Sequence, residues 1–195
     1  MKQAIKSTLT ILFVANMTIT YAQLSIKTGL YKNQNDFNHH KLIYAADCST
    51  NRNQIRTNNV FQPAKLTLLI NDKKMVVAKK DFFGYHDCNG RDYRFYQNKV
   101  FEIMDTVSFC IYSNTSLEPN AGGKGYSTQT NYYFNKHADD NMQLLTVRNL
   151  LRAFPENSKF AYALEAYAQK EKELIEYDPY LKTYKVKYLF EQSLK

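Results

Sequence analysis

The chain has no tryptophan, no Cys-x-x-Cys pair and no His-x-x-x-His pair. Without a Cys-x-x-Cys pair it lacks the usual frame of a structural zinc site. Without His-x-x-x-His it lacks the helical ligand pair of a zinc hydrolase. It also lacks an internal repeat, a long low-complexity segment, and an apolar run long enough to cross a bilayer. With neither a metal nor a cofactor motif, no cofactor is expected, and the mature chain is expected to hold no transmembrane span.

The N-terminus carries a clearer signal. Lys2 and Lys6 form a basic start, Leu9 to Thr20 a short apolar stretch, and Thr20-Tyr21-Ala22 places small residues at −3 and −1. This pattern is that of a cleaved export leader over residues 1–22, with Gln23 as the first mature residue. No cysteine sits at the cleavage point, so a lipid anchor is not expected. The expected location is periplasmic or extracellular.

Removing the leader leaves 173 of the 195 residues, enough for one domain with its own core. Hydrophobic residues make up 44%, which excludes a disordered chain. Sixteen tyrosines accompany twelve phenylalanines, and tyrosine suits half-buried strands and wet surfaces alike. The formal charge of +8 falls to +6 once the leader's two lysines are removed. A basic exported protein meets anionic surfaces such as glycans, lipid head groups or envelope proteins, and its location disfavours nucleic acid.

Three cysteines remain, which permit one bridge in three pairings. Cys48 and Cys88 lie in polar loop or turn sequence, whereas Cys110 lies in the apolar run Phe109-Cys110-Ile111. Loop cysteines reach each other more easily, so Cys48–Cys88 is the favoured bridge. Three reduced thiols are the alternative.

The periodicity divides the chain in two. Residues 23–135 alternate with period two, with turns expected near Asn33 to Asn35, at Asn71-Asp72-Lys73, at Asn89-Gly90 and at Gln97-Asn98-Lys99. Residues 46–62 and 113–126 read as loops, and Val107, Phe109 and Ile111 as one face of a strand. Residues 136–195 switch to a helical period and form a tail packed on the strands. Thr146 caps a first helix that Pro155 ends, and Ser158 caps a second. Asp178-Pro179 starts a third, with Leu181, Tyr184 and Tyr188 on its face. The expected fold class is α+β: an antiparallel β-meander or small partly open barrel followed by about three C-terminal helices.

Phe83-Gly84-Tyr85, Asp87, Asn89-Gly90, Tyr93 to Tyr96, Ala153-Phe154-Pro155, Lys159-Phe160 and Leu174 to Asp178 together resemble small exported proteins of unassigned function from Bacteroidota-type bacteria. The likeness covers most of residues 26–189. It implies an envelope or extracellular setting and transfers no catalytic residue.

Candidate chemistry is sparse. His86 and Cys88 share a strand face, which admits a base and a nucleophile, with His137 as a further candidate. The same residues read more readily as a hairpin in which Asp87 bonds the turn and Cys88 is bridged. His39-His40 and His137 with Asp139-Asp140 lack metal-ligand spacing, and no metal site is expected. Gly122-Gly123-Lys124-Gly125 lacks the Ser or Thr of a phosphate loop. Asp105-Thr106-Val107 resembles a short O-glycosylation acceptor pattern of such bacteria. The better lead is basic. Lys73, Lys74, Lys79 and Lys80, and separately Lys182, Lys185 and Lys187 beside Tyr184 and Tyr188, offer cations among tyrosines. Such groups grip anionic sugars or head groups, or simply form a solvated face and guard an edge strand.

The leading expectation is a non-enzymatic exported binding or scaffold module for an anionic envelope component. The alternatives are a small hydrolase or thiol enzyme using His86, Cys88 or His137, and an accessory subunit that docks through its helical tail.

Overall fold

The computed structural model describes residues 27–49, 54–57, 63–120 and 122–195. The expected leader and the first mature residue, Gln23, lie outside the described residues.

The elements run in the order β1 (Lys27–Tyr31), α1 (Gln34–Asn38), β2 (Ile43–Asp47), β3 (Gln54–Arg56), β4 (Lys65–Ile70), β5 (Lys73–Ala78), β6 (Gly84–His86), β7 (Asp92–Tyr96), β8 (Lys99–Asp105), β9 (Cys110–Pro119), β10 (Tyr126–Asn135) and β11 (Gln143–Leu144). There follow α2 (Val147–Ala153), α3 (Ser158–Glu165), a 3₁₀ turn at Glu171–Ile175, β12 (Tyr177–Asp178), β13 (Thr183–Tyr184) and α4 (Lys185–Ser193). The fold is α+β. An eight-stranded antiparallel sheet has the order β11-β10-β9-β8-β7-β6-β1-β2 and stays open rather than closing into a barrel.

The meander is not one sheet. β4 and β5 join β3 in a separate three-stranded sheet, so the Asn-rich stretch 46–62 holds a strand as well as loop. Strand register shows how the layers stack. A row of paired residues crosses the main sheet from Leu30 through Tyr85, Tyr93, Glu102 and Ser113 to Tyr132, so these side chains share one face. The small sheet covers one end of that face, burying Leu66 and Leu68 against Leu30, Tyr85, Phe95 and Val100. The C-terminal helices cover the other end, burying Leu150, Phe160, Leu164 and Val186 against Phe109, Ile111 and Phe134. Phe190 lies 5.4 Å from Phe109, 4.8 Å from Phe154 and 5.2 Å from Phe160. Each such aromatic pair adds about 0.5–1.5 kcal/mol beyond area burial. The opposite face carries Phe101, Cys110 and Tyr112, covered by Ala138 and Met142 of the loop after β10.

Local chemistry corrects several sequence expectations. Asn71-Asp72 and Gln97-Asn98 are two-residue hairpin turns, with both residues of each pair at positive φ. At Asn89-Gly90 only Gly90 is left-handed. Asp87 accepts hydrogen bonds from the Asn89 and Arg91 amides, and this widens the turn to five residues between His86 and Asp92. Residues 34–38 form a short helix, because the Asn33 side chain accepts from the Asp36 amide and caps it. Ser108 at φ 63° breaks the alternation, so Val107 is exposed while Phe109 and Ile111 are buried. Much of the expected loop 113–126 is strand. β9 and β10 pair as far as Pro119 and Tyr126, and their polar Ser, Thr and Asn residues hid the period-two signal.

Thr146 caps α2 as expected, accepting from the Asn149 amide. Asn157, not Ser158, caps α3. No helix begins at Pro179. The Asp178 carboxylate accepts from the Tyr180 and Leu181 amides, which turns the chain into the β12–β13 hairpin, and the last helix starts at Lys185.

Cys48 and Cys88 form a disulfide, with Cα atoms 5.5 Å apart, and it ties the β6–β7 turn to the end of β2. For a separation of 40 residues the chain-entropy contribution is about 4 kcal/mol. Reduction is expected to lower the urea midpoint accordingly. An unchanged midpoint would mean that the turn holds its place without the bridge.

Candidate functional site

His86 ends β6, and Asp92, its cross-strand partner, begins β7. The His86 Nδ1 lies 2.7 Å from Asp92 Oδ1, and the Tyr31 hydroxyl donates to the same oxygen at 2.8 Å. Burial first, and then the Asp92 carboxylate, push the Tyr31 phenol well above its ordinary value. This Tyr–Asp–His group resembles the orienting half of a catalytic triad, but the thiol expected beside it is not free. Cys88 is bonded to Cys48 and has no thiolate to offer while that bridge stands. Asp87 is occupied by the turn, and its carboxylate also accepts from Tyr93, whose pKa burial and Asp87 push up to about 12.

His137 does not join them. It follows β10, and three strands separate β10 from β6. At about 4.8 Å per strand that places it roughly 19 Å away. Its amide donates to Asp140 Oδ2, which closes a local turn. The His39 Nδ1 lies 2.8 Å from the Asn35 carbonyl oxygen, four residues back in the chain. Among the described residues no group of three or more His, Cys, Asp or Glu is placed to hold a metal ion. The remaining thiol, Cys110, is buried, and burial raises its pKa.

The lysines divide by burial. Lys73 and Lys74 are exposed on β5, an edge of the small sheet, and Lys80 is exposed just beyond it. Lys79 is not a surface group. Its Nζ donates to the Asn98 carbonyl at 2.7 Å, and burial lowers its pKa. Lys187 is likewise buried on α4. Its Nζ donates to the Val107 and Phe109 carbonyls, lies 3.3 Å from Asp105 Oδ1 and stands 4.0 Å from the centre of the Phe109 ring.

The other C-terminal candidates gather. Lys182 occupies the β12–β13 turn at φ 52°, not a helix face shared with Lys185. Lys185 opens α4, with its Nζ 5.5 Å from the Tyr167 ring centre and 5.7 Å from that of Tyr188. A hydrogen bond with Tyr167 raises the Lys185 pKa, so it stays charged at neutral pH. Tyr184 is half-buried against Tyr177, 5.2 Å between ring centres. At the hairpin tip Tyr180 is 94% exposed and Leu181 54% exposed. Tyr177, Pro179, Tyr180, Leu181, Lys185 and Tyr188 line a cleft of about 480 Å³ there. This group lies at the opposite end of the covered sheet face from Lys73, Lys74 and Lys80, so the two sets do not form one surface.

Sequence reasoning missed Arg94 and the tip residues Tyr177 and Tyr180. Arg94 is buried, with its guanidinium 5.5 Å from the Phe83 and Tyr96 ring centres and 5.7 Å from that of Tyr112. It donates to the Tyr112 hydroxyl and the Asp140 carbonyl, which fastens the loop after β10 to the sheet. Its place among alternating aromatics was the available signal. Tyr177 and Tyr180 were hidden by the helix expected at Pro179.

No protein-family model, no curated protein and no solved structure matches this chain. Among the described residues no helix is long and apolar enough to cross a membrane.

Proposed function

We propose that this protein is an exported, non-catalytic binding module that holds an anionic component of the cell envelope through its C-terminal hairpin and the start of α4. The carrying observation is the exposed tip Tyr180-Leu181-Lys182 beside a lysine, Lys185, set between two tyrosine rings. Tyrosine faces stack on sugar rings or sit at head-group level, and the lysines pair with sulfate, carboxylate or phosphate. Export is supported by the leader and by a disulfide, which persists in an oxidising compartment. The thiol-enzyme alternative loses its nucleophile to that disulfide. Docking through an apolar stripe of the last helix has little support, because Val186, Leu189 and Phe190 of α4 pack into the protein's own core.

The test is binding of the purified protein to an acidic polysaccharide and, separately, to vesicles containing anionic lipid. One of the two should bind, and the triple variant Tyr180→Ala, Lys182→Ala, Lys185→Ala should weaken it at least tenfold. Salt should remove the lysine share and leave the stacking share. Binding to neither probe, or equal binding by the variant, overturns the proposal.

A further inference from the structure

We infer that β10 carries a self-pairing edge, along which two copies of this chain join their main sheets antiparallel over Tyr126–Thr130. This inference is independent of the binding proposal above. β11 covers only a short part of β10, pairing with Tyr133 and Phe134, and the Leu145 amide then donates to the Tyr132 carbonyl at 2.8 Å. The backbone groups of Tyr132 therefore point away from β9. In an antiparallel ladder that direction repeats every second residue, so Thr130, Thr128 and Tyr126 also present their N–H and C=O groups outward. Among the described residues no strand of this chain pairs with that stretch. Residues 126–130 are all exposed.

Unpaired edges template association, and proteins blunt them with charge, proline, brevity or bulges. Among the described residues the other sheet edges are short, charged or bulged, and β11, β12 and β13 are two residues each. β5 carries Lys73 and Lys74. β3 is three residues long and ends on Arg56. β2 is bulged, with Tyr44 at φ 50°. The far side of the β9–β10 arm ends in Glu118-Pro119. β10 has no charged residue and no proline over its ten residues, and it is rich in Thr and Tyr, which favour strands.

A second copy is the occupant this segment fits. A twofold axis at Thr128 sets Thr128 opposite Thr128 of the partner subunit, and Tyr126 opposite Thr130 of the partner subunit. Each outward residue then meets one whose backbone groups also point outward. The side chains make aromatic-to-β-branched pairs, which favour sheet pairing, and no like charges face each other. Within the chain, Thr115 and Thr130 already pair in this way across β9 and β10, with hydroxyls 2.9 Å apart.

Sedimentation of the full protein from roughly 5 to 500 µM tests this, the range suited to a small interface. The unaltered chain should pass from monomer to dimer within it. Thr128→Lys and Thr128→Glu should each stay monomeric at all these concentrations, with unchanged circular dichroism. An equimolar mixture of the two should dimerise again, because opposite charges then meet on the axis. Amides of Tyr126, Thr128 and Thr130 in the unaltered chain should gain exchange protection as concentration rises, a readout that needs no variant. A chain monomeric throughout, including one whose edge is covered only by a different extended peptide, overturns the inference. So do variants that dimerise like the parent, a mixture that stays monomeric, or amides whose exchange ignores concentration.

Discussion

A Gly84→Ala variant is expected to yield no stably folded protein. A Cβ at this position would stand 1.8 Å from the Tyr93 carbonyl oxygen, 2.8 Å from the Tyr93 carbonyl carbon and 3.1 Å from the Arg94 Cα. These are backbone atoms of the neighbouring strand, so no rotamer change can make room. Gly84 is paired with Arg94, and relief requires β6 and β7 to part. That would open the centre of the main sheet, uncouple Tyr85 from Phe95 in the core, and move Arg94 out of its ring of Phe83, Tyr96 and Tyr112. The loss should exceed about 4 kcal/mol, a large share of the 5–15 kcal/mol that holds a typical domain. Soluble yield and thermal melting are the readouts. For a chain of this size each kcal/mol moves the melting point by about 2–4 °C. A variant melting within a few degrees of the parent would mean that the sheet absorbs the methyl group by a shift not anticipated here.

Asp105→Ala should cost about 3–5 kcal/mol, the range for leaving one member of a buried ion pair alone. Lys187 is almost wholly enclosed, and Asp105 is the carboxylate beside it. Asp105 also accepts from the Val107 amide, so its loss loosens the β8–β9 turn that Lys187 grips from α4. The double variant with Lys187→Met removes the stranded charge and should regain part of the loss. The Val107 and Phe109 carbonyls would still lack their donor. A loss under about 1 kcal/mol for Asp105→Ala would show that these carbonyls alone satisfy the ammonium.

The pH dependence follows in sign. Burial lowers the Lys187 pKa below its ordinary 10.5, with Asp105 opposing the shift. The penalty for the charged lysine is complete below the lowered folded pKa and is relieved as pH rises from there towards 10.5. Without Asp105 the folded pKa drops further, and the window extends downward. Asp105→Ala should therefore recover stability relative to the parent as pH rises towards 10.5, beginning at a lower pH than the parent does. Above pH 10 both proteins should weaken together. Tyr85 and Tyr112 have pKa values raised chiefly by burial, and their stabilising effect is lost as pH passes 10. Urea denaturation across this range reads both effects.

Several features could be read from residue order because they depend on near neighbours. Leu66 and Leu68 alternate as a strand must when one face is buried, and they lie in the core. Thr146 caps α2 because its hydroxyl need reach only three residues along the chain. Asn71-Asp72 turns a hairpin because both residues tolerate positive φ. Cys48 and Cys88 pair, while Cys110, held in a strand, stays free. The α+β class follows from the change of period near residue 136.

What residue order could not give depends on partners distant in the chain. Lys73 and Lys79 look alike in sequence, yet one is exposed on an edge and the other buried under the Asn98 carbonyl. A lysine is buried only where folding brings acceptors to its ammonium, and those of Lys187 come from about eighty residues away. His86 and His137 are equally polar in sequence, and only the strand order sets them far apart. The outer part of β9, residues 113–119, was hidden because its pairing rests on backbone hydrogen bonds between polar residues, which leave no apolar alternation. By itself, then, the sequence determined the α+β class and those elements that rest on chain-local stereochemistry and alternation, such as the Thr146 cap and the Asn71-Asp72 turn, and it favoured the Cys48–Cys88 bridge without deciding it. Only the tertiary structure decided which lysines meet solvent, which side chains converge and which strand edge has no partner among the described residues, because burial and pairing are properties of neighbours in space.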